Sequence, residues 1–313
     1  MIRQNVFGWN GFYCLCCYEV FTTEVKEMFC QSIQLLGKDF AVIKDEVPHN
    51  GKICSYRLII KETENEFLLR KKEKDVILYV DKRNLLETEM VSCLLLHIFL
   101  MEGMKYNILP FHASLVCLKG KNILLLGESG AGKTTLAFEL CINEGAKMIA
   151  NDFVALKWKD EKLEIMWDDR NSKMSLRKNV QSVYSEQNHL IEDKYLGSEN
   201  RNYYNPKQMN IQLYEGKGFI DEIVWIEVSE FGENMQRKLE YEQNMQKFYL
   251  NCMGLITGIQ LKLYDFNGNC QSSCLNLLET NRLKDVYDYI EMIIRQYGCR
   301  ELKGDLNYIK SNL

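Results

Sequence analysis

One nine-residue stretch constrains this chain more than any other feature. At positions 127–135, Gly-Glu-Ser-Gly-Ala-Gly-Lys-Thr-Thr fits the phosphate-binding pattern G-x-x-x-x-G-K-[ST] at every fixed position. The apolar run before it, "NILLL", reads as a buried strand, and "LAFEL" after it reads as the helix that should follow. That context matters because the loop works only between a strand and a helix. Glycines turn successive backbone N–H groups inward, and the helix N-terminus adds partial positive charge. By this mechanism Gly127, Glu128, Ser129, Gly130, Ala131 and Gly132 cradle phosphates. Lys133 reaches the β- and γ-phosphates, and Thr134, next to Thr135, offers a hydroxyl to Mg²⁺. Nucleotide binding follows; the fate of the phosphate does not.

The rest of the chain narrows the class. No Ser-Gly-Gly-type signature of a transport ATPase lies downstream, and "IEDKYLG" is not the Asn-Lys-x-Asp segment that reads guanine. The 313 residues carry a net charge of −4 with both signs mixed, which argues against a broad nucleic-acid footprint. "MVSCLLLHIFLM" at 90–101 is the longest apolar run and is shorter than the roughly 20 residues a bilayer crossing needs, so it reads as a buried helix. The N-terminus has no sustained apolar stretch or small-residue cleavage site and reads as folded protein. A cytoplasmic protein that binds neither membrane nor nucleic acid is the expectation.

Twelve cysteines are present. Cys14 with Cys17, and Cys270 with Cys274, have near metal-ligand spacing. Neither pair sits in a glycine-rich knuckle and no histidine is close in sequence, so free and mostly buried thiols are expected.

Along the chain, "YRLIIKE", "EFLLRK" and "DVILYVD" alternate with charged turns and predict an antiparallel meander, followed by a helix over 87–103. This makes residues 1–105 a strand-rich N-terminal domain ending in a helix, and 106–313 a nucleotide domain. In the second part, strands are expected at 111–118 and 121–127, and a helix at 133–144. Three short strands follow, then a polar insert over 170–210, a central strand in "FIDEIVWIEV", a helix near 235–252, the strand "IQLKLYDF" and a helix over 280–297.

A second phosphate-site residue should be an acid at the end of a strand. Asp221 and Glu222 precede their apolar run instead of ending it. Asp152, in "KMIANDFVALK", ends a strand that returns directly from the loop's helix. A return strand beside the loop's own strand would aim Asp152 at the γ-phosphate.

His112 fifteen residues before Gly127, the loop, and the strand ending in Asn151-Asp152 together resemble the HPr serine kinase/phosphorylase family. Relatives of that family include phosphoenolpyruvate carboxykinases and the HPr-kinase-like proteins encoded beside modified-peptide gene clusters. The similarity spans about residues 108–158 with specific motifs and extends more loosely to the C-terminus. It implies an α/β fold: a P-loop nucleotide domain of the HPr kinase/phosphoenolpyruvate carboxykinase type with a strand-rich N-terminal domain. It also implies ATP and Mg²⁺ as cofactors, Lys133 on the phosphates and Mg²⁺ held by Thr134 and Asp152. Asp152 is the expected general base toward a serine hydroxyl, and His112 lies near the transferred phosphate.

The chain departs from the family in two places. Asn151 stands where the family has a first acid, so Asp152 lacks a like-charged neighbour. No counterpart of the family's Arg-Gly-Leu-Gly segment is found, so transfer chemistry carries over and HPr as acceptor does not. Arg177 and Lys194 in the polar insert are further candidates for phosphate contact. His49, His97 and His189 carry no assignment. The expected activity is ATP-dependent phosphorylation of a Ser or Thr hydroxyl on a peptide or small protein, with homo-oligomer formation implied by the family. A nucleotide-sensing module without transfer, and a small-molecule kinase, are the alternatives.

Overall fold

The structure is a computed structural model that describes residues 2–9, 12–19, 42–44, 51–64, 66–88, 90–166, 174–177, 201–204, 206–214, 216, 218–229, 232–279 and 282–313. Seven N-terminal strands form one sheet: β1 (Ile2–Trp9), β2 (Phe12–Glu19), β3 (Val42–Lys44), β4 (Lys52–Ile53), β5 (Arg57–Thr63), β6 (Leu68–Lys72) and β7 (Asp75–Asp81). Alternate residues enter the core, as the two-residue period of a strand requires: Cys14, Cys16 and Tyr18 on β2, Leu58 and Ile60 on β5, Val76, Leu78 and Val80 on β7.

The sheet is not the expected meander. Its order is β3-β1-β2-β5-β7-β6, and β5 runs parallel to both β2 and β7. Strand β6 crosses over to the outside of β7 because its last three residues, Arg70, Lys71 and Lys72, are charged and exposed, which suits an edge.

Asp81 caps the short helix α1 (Lys82–Glu87) by accepting a hydrogen bond from the Asn84 N–H. Helix α2 (Met90–Met104) follows and buries nearly its whole circumference, Ser92, His97 and Glu102 included. It packs on β2 and β5 of the first sheet and also on the second half of the chain.

That half contains β8 (Ile108–Phe111), β9 (Ser114–Leu118), β10 (Lys121–Leu126), α3 (Lys133–Asn143), β11 (Lys147–Ala150), β12 (Val154–Lys159), β13 (Lys162–Ile165), β14 (Met174–Arg177) and β15 (Arg201–Tyr204). After a short 3-10 turn at Pro206–Met209 come β16 (Glu222–Val228), β17 (Met235–Lys238), α4 (Tyr241–Ile256), β18 (Lys262–Tyr264), β19 (Cys270–Ser273), α5 (Leu283–Tyr297), β20 (Arg300–Gly304) and α6 (Leu306–Ser311). The central sheet has the order β11-β9-β10-β16-β20-β17, with β10, β16 and β20 parallel. A separate sheet, β13-β12-β8, stands beside it.

Strand β10 shows why its sequence is a continuous apolar run. Ile123 and Leu125 join Leu136, Phe138 and Leu140 of α3 on one face, while Leu124 and Leu126 join the core of α2, α4 and α5 on the other. The second of these cores runs without a break from Phe7 to Cys299. The fold is mixed α/β, and no described helix is long and apolar enough to cross a membrane.

Two further expectations need correction. Residues 235–238 are an edge strand, antiparallel to β20, and the helix expected there begins at Tyr241. The return strand β11 pairs with β9, so β9 lies between it and β10. Cys14 and Cys17 sit three apart on β2, point to opposite faces and are free thiols, as expected. Among the described residues no cluster of three or more His, Cys, Asp or Glu is gathered around a common point.

His97 gives this fold a pH dependence. Its ring Nε2 lies 2.9 Å from the Ile256 carbonyl at the end of α4. Burial lowers its pKa from 6.5 to about 4, partly offset by that hydrogen bond. The unfolded chain therefore takes up the proton first. The contribution is fully present above pH 6.5 and is lost as the pH falls towards 4, amounting to about 3 kcal/mol. Urea titrations at pH 7.5, 5.5 and 4.5 should show this loss, and His97→Gln should flatten it. Equal pH dependence in the two proteins would remove His97 as the source.

Candidate functional site

Strand directions define where a phosphate site can form. Strands β10, β16 and β20 point one way; β9 points the other, and β11, antiparallel to β9, points with β10. The carboxyl ends of β10, β11 and β16 therefore share one edge of the sheet. The glycine-rich loop leaves β10 at that edge, and α3 begins there.

The loop's glycines are required by space as well as by dihedral angle. Gly130 and Gly132 have φ of 88° and 85°, and Gly132 is the left-handed N-cap of α3. A Cβ on Gly132 would lie 2.6 Å from Val228 Cγ2, and one on Gly127 would lie 2.6 Å from the Ile226 carbonyl oxygen. The Val228 N–H also donates to the Ala131 carbonyl at 2.9 Å. The end of β16 is thus the floor on which the loop rests. Nothing in the sequence singles out Val228 for this.

Lys133 opens the helix and is only 5% exposed. Its Nζ donates to the carbonyls of Gly127 and Glu128, both at 2.9 Å, which holds the ammonium inside the curve of the loop. Next to it, Thr134 Oγ1 stands 3.4 Å from Asp152 Oδ1. That is long for a hydroxyl–carboxylate hydrogen bond. Two oxygens bound side by side on one Mg²⁺ stand about 3 Å apart, so this pair of hard oxygen donors fits such an ion. Glu128, Ser129 and Gly130 are exposed at the loop's crest; Ala131 and Thr135 are half-buried.

Asp152 reaches this position through backbone geometry. It has φ of 64°, a left-handed conformation that Asp tolerates better than most residues. The turn occurs where the chain leaves β11 in the central sheet for β12 in the neighbouring one. A matching corner lies between β8 and β9 and contains His112, which is therefore not on a strand as expected.

The two corners are one interrupted ladder. Phe111 pairs with Val154 on one side, and Leu115 pairs with Ala150 on the other. Both pairs share one register, and it carries Ser114 opposite Asn151 and sets His112 diagonally across from Asp152. A side-chain bond confirms the match: Ser114 Oγ donates to Asn151 Oδ1 at 2.9 Å, both residues being buried. Ser114 carries no assignment in the sequence analysis. Its signal is a hydroxyl in an otherwise apolar strand next to His112.

Asn251 of α4 joins the site without any signal in the sequence. It accepts from the His112 N–H at 2.9 Å and donates to the His112 carbonyl at 3.1 Å. Asp221 and Glu222 stand at the opposite edge, at the start of β16. Asp221 accepts from the Asn122 N–H at 2.8 Å and Glu222 pairs with Arg300, so both serve the strand start. Arg177 ends β14, in register with Arg201. Lys194, His49 and His189 lie outside the described residues, as does most of the expected polar insert.

No family model matches the chain, and no curated protein sequence matches it. Among solved structures it is similar to the Hpr(Ser) kinase/phosphatase from Coxiella burnetii, with 15% identity and a TM-score of 0.24 over 42% of this chain and 76% of that one. Similarity at that level establishes neither family nor chemistry. The functional reading rests on the residues at the sheet edge.

Proposed function

We propose that the chain is an ATP-dependent kinase that transfers the γ-phosphoryl group to a serine or threonine hydroxyl of a peptide or small protein. One observation carries this reading: a single carboxylate, Asp152, stands 3.4 Å from the Thr134 hydroxyl at the mouth of a complete phosphate-binding loop. Phosphoryl transfer needs positioning and cations rather than covalent help. The loop N–H groups and Lys133 hold the β- and γ-phosphates. Thr134 and Asp152 Oδ1 would hold Mg²⁺, which when bound takes up phosphate charge. Asp152 also orients the acceptor hydroxyl and receives its proton. As the acceptor oxygen bonds to the γ-phosphorus, the bond to the β,γ-bridging oxygen breaks and ADP leaves. His112, across the ladder from Asp152, contacts the group in transfer.

A second reading is a nucleotide sensor without transfer. It is favoured by Asn151, whose side-chain oxygen is engaged by Ser114 where a second acid would add charge.

Titration calorimetry with Mg-ATP, followed by labelled ATP over an array of Ser- and Thr-containing peptides, separates the two. Micromolar to millimolar binding with label on a hydroxyl is the expected result. Binding without transfer to any acceptor, or to water, moves the protein to the sensor class. Absence of Mg-ATP binding overturns both readings.

A further inference from the structure

We infer that Asn251 is a positioning residue that sets where the His112 imidazole can reach. The inference rests on the kinase reading above, and it starts from the break in the ladder. His112 sits where β8 has lost its last partner, Val154 opposite Phe111, and β9 has not yet gained Ala150 opposite Leu115. His112 lies outside both of these runs of strand pairing, and main-chain polar groups cost free energy when buried unpaired.

The Asn251 amide takes the place of that missing strand. One side chain accepts from the N–H at 2.9 Å and donates to the C=O of the same residue at 3.1 Å. Two antiparallel bonds to one residue fix its peptide planes on both sides. They therefore fix the direction in which its Cβ leaves the backbone.

The clamp is anchored in a rigid element. Asn251 is 6% exposed and lies within α4. Three residues earlier, fully buried Phe248 meets Phe111, the residue before His112, edge to face with ring centroids 6.1 Å apart. Lys247 of the same helix pairs with Glu301 of β20 at 3.1 Å, and the Ile256 carbonyl receives His97 of α2. The helix is tied to both sheets, so the corner inherits their order. A buried Asn inside a helix is also a poor choice on propensity alone, which argues that its amide is kept for what it binds.

The test uses the full chain, which has four histidines, so ring resonances are few. Comparison with His112→Gln assigns the His112 ring signal. In the wild-type protein this signal should move when Mg-ADP is added and should move in the same way in Leu250→Ala, an exposed control on the same helix. In Asn251→Ala the His112 signal should be displaced or broadened before nucleotide is added. Its response to Mg-ADP should be lost, and kcat should fall about 10–100-fold with the KM for ATP changed less than about threefold, as for a misplaced group that acts in the transition state. Asn251→Asp keeps the acceptor and loses the donor, so it should fall between. Its near-native shape keeps the test valid if the alanine variant does not fold.

Unchanged His112 signals and an unchanged kcat in a folded Asn251 variant, with only a lower melting temperature, would overturn the inference. If the wild-type protein shows no phosphoryl transfer, the kinase reading falls by itself, and displacement of the His112 signal still decides the positioning role.

Discussion

Asp152→Asn should lower phosphoryl transfer about 10²–10⁴-fold, the range over which a positioned general base contributes. The substitution is nearly isosteric, and Asn adopts the left-handed backbone at φ of 64° as readily as Asp. Fold and melting temperature should therefore stay close to wild type. Mg-ATP affinity should weaken by less than tenfold if, as proposed, the loop N–H groups and Lys133 make most of the contact with the phosphates. Calorimetry and single-turnover transfer on the same preparation separate the two effects. A variant that binds and transfers like wild type would show that the carboxylate is not the base. A variant that no longer binds Mg-ATP would make Asp152 a metal ligand first and leave the base unassigned.

The second large effect is expected at Gly132. Alanine there meets two penalties: a left-handed backbone at φ of 85°, costing about 1–2 kcal/mol, and overlap with Val228, costing about 1–3 kcal/mol. Urea denaturation of Gly132→Ala should show a loss of about 2–5 kcal/mol. Mg-ATP affinity should fall more than tenfold because the first N–H groups of α3 move with the residue. Adding Val228→Ala removes the Cγ2 contact at 2.6 Å but keeps Val228 Cβ at 2.7 Å from the added methyl, along with the backbone cost, so the double variant should recover only a small part of the stability. Additive losses in the two single variants would mean that the side chains do not meet, and the proposed floor under the loop would be wrong.

The loop was legible because its residues act locally. Leu124 to Leu126 declare a strand buried on both faces, the glycines declare positive φ, and Lys133-Thr134 declare a helix start. The position of Asp152 was legible for a partly mistaken reason. The direction of β11 was right, but its neighbour is β9, because strand order in a sheet is set by long-range pairing that no local pattern encodes.

Strand β20 was missed since Arg300, Glu301 and Lys303 make it look like a loop. In place, those charges meet Glu222, Arg237 with Lys247, and Glu227 respectively, partners 54 or more residues away in sequence. Strand β17 falls inside the helix expected near 235–252, whose start belongs at Glu240. There, a capping box with Gln243 marks the start of α4, and Glu is an unusual residue to lead one. The first sheet was misread for a similar reason, since the charges on β6 identify an edge but not which one.

Helix α2 has a consequence for how the gene can be divided. It turns apolar side chains towards the first sheet and towards β8 and α4 alike, so it has no side that could face water. A fragment beginning at residue 106 would lose this filler and bare the greasy surfaces of Leu109, Phe111, Phe248 and Ile256. Such a fragment should aggregate, because each half covers apolar surface that the other would leave bare.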